Sequence, residues 1–389
     1  MEAGKGFFVM HIQLLPGRVT RRRHLLVAGI TALVCALTLG LFADPAQAGK
    51  RKDKGATVKV MLRNLYLGAN DAEAIAAASF SEFLNETGEI LNTVDTTNFP
   101  TRSKALAAEI LNKKPDLVGL NEAALWRVEP ADGQFIPPEA TAVRYDFLQI
   151  LLDRLNEGKR RYRVVSVQEE FDFEVPADTV EPGDDEVEVD GRLTHRDVIL
   201  ARRNAGVKTS KARSGNFDNL LQLNVQGLPV EVARGWNQVN ATVRGSKPFR
   251  FVNTHLEVRQ PELEVPTLPA KQAGELIAPG GPAGGKLPVV LVGDLNSSLP
   301  NPMEPERDVQ AYQLLLDAGF RNRDAGKPTH GANELLTTAV FDERIDHVMT
   351  DTPEKIKKIR ASRTGLDRVD GLYPSDHVGL FSALRVPRR

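Results

Sequence analysis

The chain has 389 residues, and its 50 Lys and Arg side chains nearly balance 51 Asp and Glu side chains, which leaves a formal net charge of −1. A hydrophobic fraction of 41% and a charged fraction of 26% exclude a disordered or fibrous chain and are ordinary for a globular protein of one large domain or two. The balance also excludes a protein that holds nucleic acid by bulk positive charge, although a nuclease with a local basic surface is still allowed.

Residues 1–48 are predicted to be a secretory signal peptide. The basic segment Thr20–His24 precedes the apolar stretch Leu25–Phe42, and Ala46–Ala48 offers a small-residue cleavage site. An uncleaved membrane anchor is the alternative, because the apolar stretch is only just long enough to span a bilayer. The arginine cluster allows twin-arginine as well as Sec export. Cys35, the only cysteine, lies in the apolar stretch, so we expect an extracellular mature protein without disulfides.

Residues 49–56 are predicted to form a basic linker and residues 57–389 a single domain rich in strands. Helices are predicted at Arg102–Asn112, Tyr145–Leu155 and Val309–Asp317. Strands are predicted at Val58–Leu62, Asp116–Leu120, Tyr162–Val167, Val198–Arg202, Leu220–Val225, Val230–Ala233, Trp236–Val243, Phe249–Asn253, Val289–Val292, Arg344–Thr350 and Gly379–Leu384. This order favours an α/β (α+β) four-layer sandwich, with two packed, mostly antiparallel sheets flanked by helices, over a doubly wound parallel sheet.

Two segments are predicted to be surface loops. Glu169–Asp190 is strongly acidic, and Pro261–Lys286 is rich in Pro and Gly. For the acidic segment, a solvated surface is the first interpretation; a calcium site and a role in repelling polyanions are the alternatives.

Six polar clusters each adjoin a short apolar run along the chain. They are Asn64, Asn121-Glu122, Asn253-Thr254-His255, Gly293-Asp294-Leu295-Asn296, Arg344-Ile345-Asp346-His347 and Ser375-Asp376-His377. Polar side chains at the ends of strands are typical of an active site carried by a rigid scaffold. Asp294 and Asn296 alternate across Leu295, so a strand would point both polar side chains to one face.

In this order, the six clusters resemble the endonuclease/exonuclease/phosphatase superfamily. Its members include DNase I-like nucleases, abasic-site endonucleases, neutral sphingomyelinases and inositol polyphosphate 5-phosphatases. The resemblance spans nearly the whole mature chain, and it implies a DNase I-like fold and a metal-dependent phosphoesterase. Mg²⁺ is the expected ion, with Mn²⁺ or Ca²⁺ as alternatives, since carboxylate and amide oxygens are the ligands that Mg²⁺ prefers.

The resemblance also implies roles for the metal ligands and for one histidine. Glu122 and Asn64 are expected to bind the metal, and Asp376 to bind or orient it. His377 is expected to activate water or to stabilise the phosphorane, while Asp346 holds its ring and fixes its tautomer.

A second group is expected to face the phosphate. Asp294 is expected to orient the attacking water, and Asn296 and Asn253 to bind substrate. His255 is expected to contact the phosphate or to protonate the leaving group. Asp197 is a candidate support for His255, with a surface salt bridge as the alternative interpretation.

One position departs from the family pattern. Some members place an acid two residues after the first-strand Asn, and this chain has Tyr66 there, so a second metal site is in doubt. His330 and His347 have no matching role, and surface or core positions are the default for both. Trp126 and Trp236 are expected to be packing residues rather than platforms for bases.

The sequence therefore predicts a secreted, Mg²⁺-dependent phosphodiesterase or nuclease that hydrolyses phosphate esters by in-line attack of water. Sphingomyelinase-like or inositol-phosphate phosphatase activity is the alternative, and a non-catalytic secreted binding protein on the same fold is a second alternative. The expected partner is a phosphate ester, either a nucleic acid or a phospholipid headgroup. No stable protein partner and no transmembrane segment after signal cleavage are predicted.

Overall fold

The structure, a computed structural model, describes residues 55–132, 137–180, 187–260, 265–300, 307–352 and 354–389. All of them fall within one unit, Lys52–Arg389. The predicted signal peptide and most of the predicted linker lie outside the described residues. Within the described ranges, every helix is too short or too polar to cross a membrane.

The first sheet has eight strands and is antiparallel except where its two central strands meet. Its path is β17 (Lys357–Thr364), β18 (Gly379–Val386), β1 (Ala56–Asn64), β2 (Leu117–Asn121), β6 (Val189–Arg202), β3 (Leu125–Pro130) and β4 (Ala142–Asp146), with β5 (Tyr162–Ala177) also paired to β6. β1 and β2 run parallel, and each of the other pairs is antiparallel.

The second sheet has six strands, of which one neighbouring pair is parallel. Its order is β13 (Arg321–Asn322), β16 (Asp346–Thr350), β12 (Val289–Asp294), β11 (Phe249–His255), β10 (Gly235–Val243) and β7 (Val207–Asn216). β11 and β12 are the parallel pair. Two hairpins stand outside both sheets: β8 (Leu221–Val225) with β9 (Leu228–Val232), and β14 (His330–Ala332) with β15 (Ala339–Glu343).

Six helices are described, and side-chain oxygens cap several of them. They are α1 (Ala72–Ala76), α2 (Phe80–Thr96), α3 (Phe99–Lys113), α4 (Phe147–Asn156), α5 (Leu268–Ile277) and α6 (Gln310–Asp317). Ser79 accepts a hydrogen bond from the Glu82 amide at the start of α2, and Asp146 accepts one from the Gln149 amide at the start of α4. Such caps satisfy amide groups that the first helical turn leaves unpaired.

The apolar residues divide into layers that confirm the predicted sandwich. Val60 of the first sheet and Phe251 of the second belong to one fully buried cluster between the sheets. Leu106 of α3 packs on the outer face of the first sheet, and Leu276 of α5 packs on the outer face of the second. The order of layers is therefore helices, sheet, sheet, helices.

The prediction of two surface loops is wrong in both places. Glu169–Asp190 lies largely in the long β5–β6 hairpin, because Phe171, Phe173 and Val175 alternate with acidic residues in the period of a strand. Residues 181–186, at its tip, lie outside the described part. Pro261–Lys286 contains α5, whose apolar residues recur at helical spacing and pack against α6. In both segments the prediction followed composition, acidic in one and rich in Pro and Gly in the other, and missed the strand and helix periods of the apolar residues.

Candidate active site

The ends of strands from both sheets meet at one edge of the sandwich. In the parallel β1–β2 pair, Asn64 lies opposite Asn121. In the second sheet, Asp294 lies opposite His255 on one side and opposite Asp346 on the other. The carboxyl ends of parallel strands share an edge with the amino end of an antiparallel neighbour, so pairing alone brings these polar side chains together.

A buried amide, Asn121, ties the two sheets together beneath this edge. Its Nδ2 donates to Asp197 Oδ2 (2.5 Å) and to the Thr254 carbonyl (3.2 Å). Its Oδ1 accepts a hydrogen bond from the Asp294 amide (3.1 Å). Asn121 therefore fixes the position of the Asp294 backbone relative to the first sheet. The position is rigid, because buried polar groups with several partners move little.

Asn253 has a structural position, which corrects its predicted role in substrate binding. The side chain is fully buried between the sheets, and its Nδ2 donates to the Leu120 carbonyl (3.1 Å). The absence of a side chain at Gly119 makes space for the Asn253 amide, because a Cβ at Gly119 would lie 2.3 Å from Asn253 Oδ1. The amide is thus a link between layers, one pleat below the cleft.

His377 and Asp346 form a close, buried pair. His377 Nδ1 lies 2.7 Å from Asp346 Oδ2, and Ser375 Oγ accepts a hydrogen bond from the His377 amide (3.1 Å). Burial alone would lower the pKa of His377, but the carboxylates of Asp346, Asp376 and Asp294 outweigh burial and raise the pKa well above its ordinary value. The pairing directs Nε2 of the ring toward the cleft.

A single carboxylate oxygen, Asp294 Oδ2, stands between two imidazole rings. It lies 3.6 Å from His377 Nε2 and 3.8 Å from His255 Nε2. Asn64 Nδ2 is 3.3 Å from the same oxygen. The backbone amide of Asn296 donates to Asp294 Oδ1 (3.0 Å), so the carboxylate is held in place.

Glu122 enters the cleft from the first sheet through an unusual backbone conformation. Its φ of 57° is left-handed, which is rare outside glycine. Its Oε1 accepts a hydrogen bond from Asn64 Nδ2 (2.7 Å), and its Oε2 accepts one from the Leu67 amide (2.8 Å). Burial and the neighbouring charge of Asp376 raise the pKa of Glu122.

The donor atoms at this edge fit a divalent cation. Ligand atoms of Glu122, Asp294 and His377 all lie within 4.8 Å of one another. Asp376 completes a set of three carboxylates, with Oδ1 3.9 Å from His377 Nε2. Burial would raise the pKa of Asp376, yet His377 and His330 outweigh it and lower the pKa to about 2. Carboxylate oxygens gathered in a buried space are the ligands that a hard cation prefers.

His255 meets nitrogen groups at both ring positions. Arg234 Nη1 lies 3.3 Å from Nδ1, and Asn296 Nδ2 lies 3.3 Å from Nε2 while donating to the Leu256 carbonyl (2.9 Å). Burial and Arg234 lower the pKa of His255 well below its ordinary value, which favours the neutral ring. A neutral ring suits a hydrogen bond to phosphate better than proton donation to a leaving group.

Asp197 lies near His255 but hydrogen-bonds to a different residue. It is fully buried, so the alternative interpretation of a surface salt bridge is wrong. Ligand atoms of Glu170, His195, Asp197 and His255 lie within 4.8 Å of one another. His195 and Glu170 were missed in the sequence. The spacing of His195 and Asp197, two residues apart on a strand, was the available signal.

His330 was also missed, and it packs against the His377 ring. The ring centroids are 4.6 Å apart, and His330 Nδ1 lies 2.7 Å from Glu343 Oε2. Burial would lower the pKa of His330, but Asp376 and Glu343 raise it to about 9. His330 is partly buried and borders the cleft, a position beside the site that the default expectation of a surface or core histidine did not specify.

Other singled-out residues lie in the framework around the cleft. His347 is buried, with Nε2 2.9 Å from the Ser297 carbonyl, and burial lowers its pKa to about 4. Trp126 is buried and donates to the Leu67 carbonyl (2.9 Å), and Trp236 packs partly buried on the second-sheet core. Tyr66, at the departing position, is buried near Asp376 and Glu122.

Comparisons with solved structures find the same fold. Over 84% of this chain and 99% of that chain, the structure is similar to an endonuclease/exonuclease/phosphatase family protein from Leptotrichia buccalis C-1013-b, at a TM-score of 0.50 and 12% identity. A mannosyl-6-phosphatase from Bacteroides thetaiotaomicron VPI-5482 covers 84% of this chain and 99% of its own, with a TM-score of 0.47 and 15% identity.

An endonuclease/exonuclease/phosphatase from Beutenbergia cavernae DSM 12333 covers 85% of this chain and 72% of its own, with a TM-score of 0.48 and 18% identity. No curated protein matches the chain. At 12% identity and a TM-score of 0.50, the likeness to the Leptotrichia buccalis protein shows the fold alone. The sequence itself matches the model of the Endonuclease/Exonuclease/phosphatase family over residues 91–377. The chain therefore belongs to this family of phosphoesterases.

Proposed function

We propose that the protein is an exported, Mg²⁺-dependent phosphodiesterase. The observation that carries the proposal is the convergence of Glu122, Asp294 and the Asp346–His377 pair at one edge, with donor atoms within a few ångströms of each other. The three carboxylates of Glu122, Asp294 and Asp376 suit a hard cation. The imidazoles of His377 and His255 supply groups that bind anionic oxygens.

Glu122 would hold the metal with Asp376 behind it, and Asn64 would join it through Oδ1, the amide oxygen that accepts a hydrogen bond from the Tyr66 amide (2.9 Å). Bound there, Mg²⁺ would neutralise charge on the phosphoryl oxygens. Asp294 accepts a hydrogen bond from the attacking water and aligns it with phosphorus, because its Oδ2 faces the space between both rings. The water oxygen bonds to phosphorus as the water passes its proton to Asp294 Oδ2; the bond from phosphorus to the leaving oxygen breaks on the opposite side, and the leaving oxygen takes a proton from solvent.

His377 stabilises the charge that develops on the phosphoryl group. Asp346 orients the ring from Nδ1 and favours its cationic form, so that Nε2 presents an N–H group to the cleft. His255 and Asn296 contact the remaining phosphoryl oxygens from the second sheet. Groups fixed in this way need no rearrangement as the reaction proceeds.

The substrate is proposed to be a small or non-polymeric phosphodiester. A formal net charge of −1 supplies little general attraction for a polyanion, which favours a small or non-polymeric ester over a tightly held nucleic acid.

Export rests on the signal-like pattern of residues 1–48. Sequencing the amino terminus of protein recovered from the culture medium tests it: a start at Gly49 is expected, and retention of the apolar stretch would contradict it.

Hydrolysis of bis(p-nitrophenyl) phosphate with purified protein tests the activity. We expect turnover with Mg²⁺, none with EDTA, and recovery when Mg²⁺ is restored. His377→Gln should lower kcat by about 10²–10⁴-fold. The matched control is His347→Gln, which replaces another buried histidine outside the cleft and should keep kcat near that of the parent.

Equal rates in EDTA and Mg²⁺ would refute the metal dependence. An unchanged rate in His377→Gln, with both variants folded, would refute the assignment of the site. Binding of a phosphate ester without any turnover would instead support the non-catalytic binding protein.

A further inference from the structure

An apolar cavity of about 530 Å³ lies beside the candidate active site. Helices α1 and α2, the β5–β6 hairpin and the β8–β9 hairpin enclose it. Its walls include Phe83, Phe171, Phe173, Leu223 and Val230. The volume is in the range of about 300–1,000 Å³ that is usual for pockets that hold small molecules.

The β8–β9 hairpin covers this cavity as a separate layer. It hydrogen-bonds to neither main sheet. Val225 and Val230 from the hairpin form an apolar cluster with Ala74 and Phe83 from the helices, distinct from the three larger cores. The four buried residues of this cluster also line the cavity. They pack against one another around the empty volume.

The polar end of the cavity adjoins the active site through residues that contact His255. Arg234 lines the cavity, and its Nη1 lies 3.3 Å from His255 Nδ1. His195 also lines it, with its ring centroid 5.4 Å from that of His255. Leu67 lines the cavity, and its backbone amide donates to Glu122 Oε2 in the cleft. A molecule whose phosphate lies in the cleft therefore has this cavity next to it.

The lining selects an apolar group. Thr87, a polar residue of the wall, already uses its hydroxyl to donate to the carbonyls of Leu84 and Pro176. Arg234 and Glu257 are paired with each other, with Arg234 Nε 3.2 Å from Glu257 Oε2. The remaining polar lining residues are Asn70, Asp71, His195 and Gln260. Against the apolar walls of Phe83, Phe171, Phe173, Leu223 and Val230, the polar edges of a sugar or a nucleobase would have no partners, which is unfavourable in a buried space.

We propose that this cavity binds the apolar chain of an amphiphilic phosphate ester, whose phosphate group lies in the active site. The inference rests on the proposed function for the position of the phosphate. The chain is held inside the protein, on the side of His255, rather than left in a lipid aggregate. Each methylene group that enters should tighten binding by up to about fourfold.

The proposal is tested by calorimetric titration of the Mg²⁺-loaded protein with methyl phosphate and with dodecyl phosphate, the latter kept below the concentration at which it forms micelles. We expect dodecyl phosphate to bind at least about 100-fold more tightly. Leu223→Trp fills the cavity from β8 and should reduce this preference at least tenfold. Val232→Phe, from β9, is a second filling variant in case the first does not fold. Ile359→Trp adds the same ring at a half-exposed position of β17 and should keep the full preference.

Equal binding of the two phosphates by the parent protein would overturn the proposal. So would a preference that both filled variants retain in full. Hydrolysis of bis(p-nitrophenyl) phosphate is measured in parallel, and Leu223→Trp should keep the parental rate. If the parent lacks that hydrolysis but prefers dodecyl phosphate, the proposed function fails while the cavity assignment stands. The reverse result rejects the cavity alone.

Discussion

Replacing Asp346 by Asn tests how the cleft uses His377. The carboxylate lies 2.7 Å from His377 Nδ1, and both side chains are buried. In the variant, the amide can present its oxygen or its nitrogen to the ring. The nitrogen would face the N–H of Nδ1, whereas the oxygen would place the NH₂ group where Asp346 Oδ1 has no hydrogen-bond partner among the described residues. Either arrangement leaves a buried donor unpaired.

Two effects set the size of the change. Loss of an adjacent charge removes about 1–4 kcal/mol of stabilisation from the cationic form of His377. If that form stabilises the transition state, kcat falls about 10- to 1,000-fold. The unpaired donor should lower the free energy of unfolding by about 1–3 kcal/mol. The first effect acts on the reaction and the second on the fold, so they can be measured separately.

The assay combines kinetics with denaturation. Asp346→Asn should lower kcat for bis(p-nitrophenyl) phosphate and leave KM within about threefold, because Asp346 acts through His377 and does not touch the substrate. The matched control is Asp324→Asn, which removes another buried carboxylate close to a histidine, His347, away from the cleft. It should lower stability without lowering kcat. A variant at Asp346 with parental kcat, or equal losses of kcat in both variants, would refute the reasoning.

Three further predictions concern the phosphate contact, the packing between sheets and a buried histidine. His255→Ala should lower kcat/KM about 10²–10³-fold in the same assay, as expected for a lost transition-state hydrogen bond. Gly119→Ala should lower the free energy of unfolding by about 1–3 kcal/mol in urea titrations, since the new Cβ would lie 2.3 Å from Asn253 Oδ1. Burial depresses the pKa of His347 from 6.5 to about 4, so the unfolded chain binds more protons between those values. Stability should therefore fall as pH drops from 6.5 to 4, by up to about 3 kcal/mol more in the parent than in His347→Gln, measured by urea titration at each pH.

The sequence predicted the edge where the site lies, because strand ends are local features. Asn64, Glu122, Asp294 and His377 each follow or precede an apolar run, and strand pairing then brings them together. The layered fold was predictable for the same reason, since alternating and continuous apolar runs report which strands are covered. Helix α2 and the long β5–β6 hairpin were not predicted, because turn-forming and acidic residues dominate their composition.

Contacts between segments that are distant in the chain could not be predicted from the pattern of apolar and polar residues. Arg234 reaches His255 from the turn before β10, and His330 reaches His377 from a hairpin that belongs to neither sheet. Nothing in the neighbourhood of these residues along the chain distinguishes them from surface charges. Asn253 shows the converse: its residue type suggested substrate contact, but the space beside Gly119 places it between the layers.

Backbone conformation explains how adjacent residues serve different layers at this edge. Asn121 points between the sheets, so the alternation of a regular strand would turn Glu122 away from the cleft. A left-handed backbone at Glu122 (φ 57°) breaks that alternation and returns the carboxylate to Asn64. Asn296, two residues after Asp294 at the end of β12, also has a left-handed backbone (φ 45°). Glycine would adopt these conformations without strain but has no side chain to offer. The strain, on the order of 1–3 kcal/mol at each position, is therefore tied to keeping a functional group at the end of a strand.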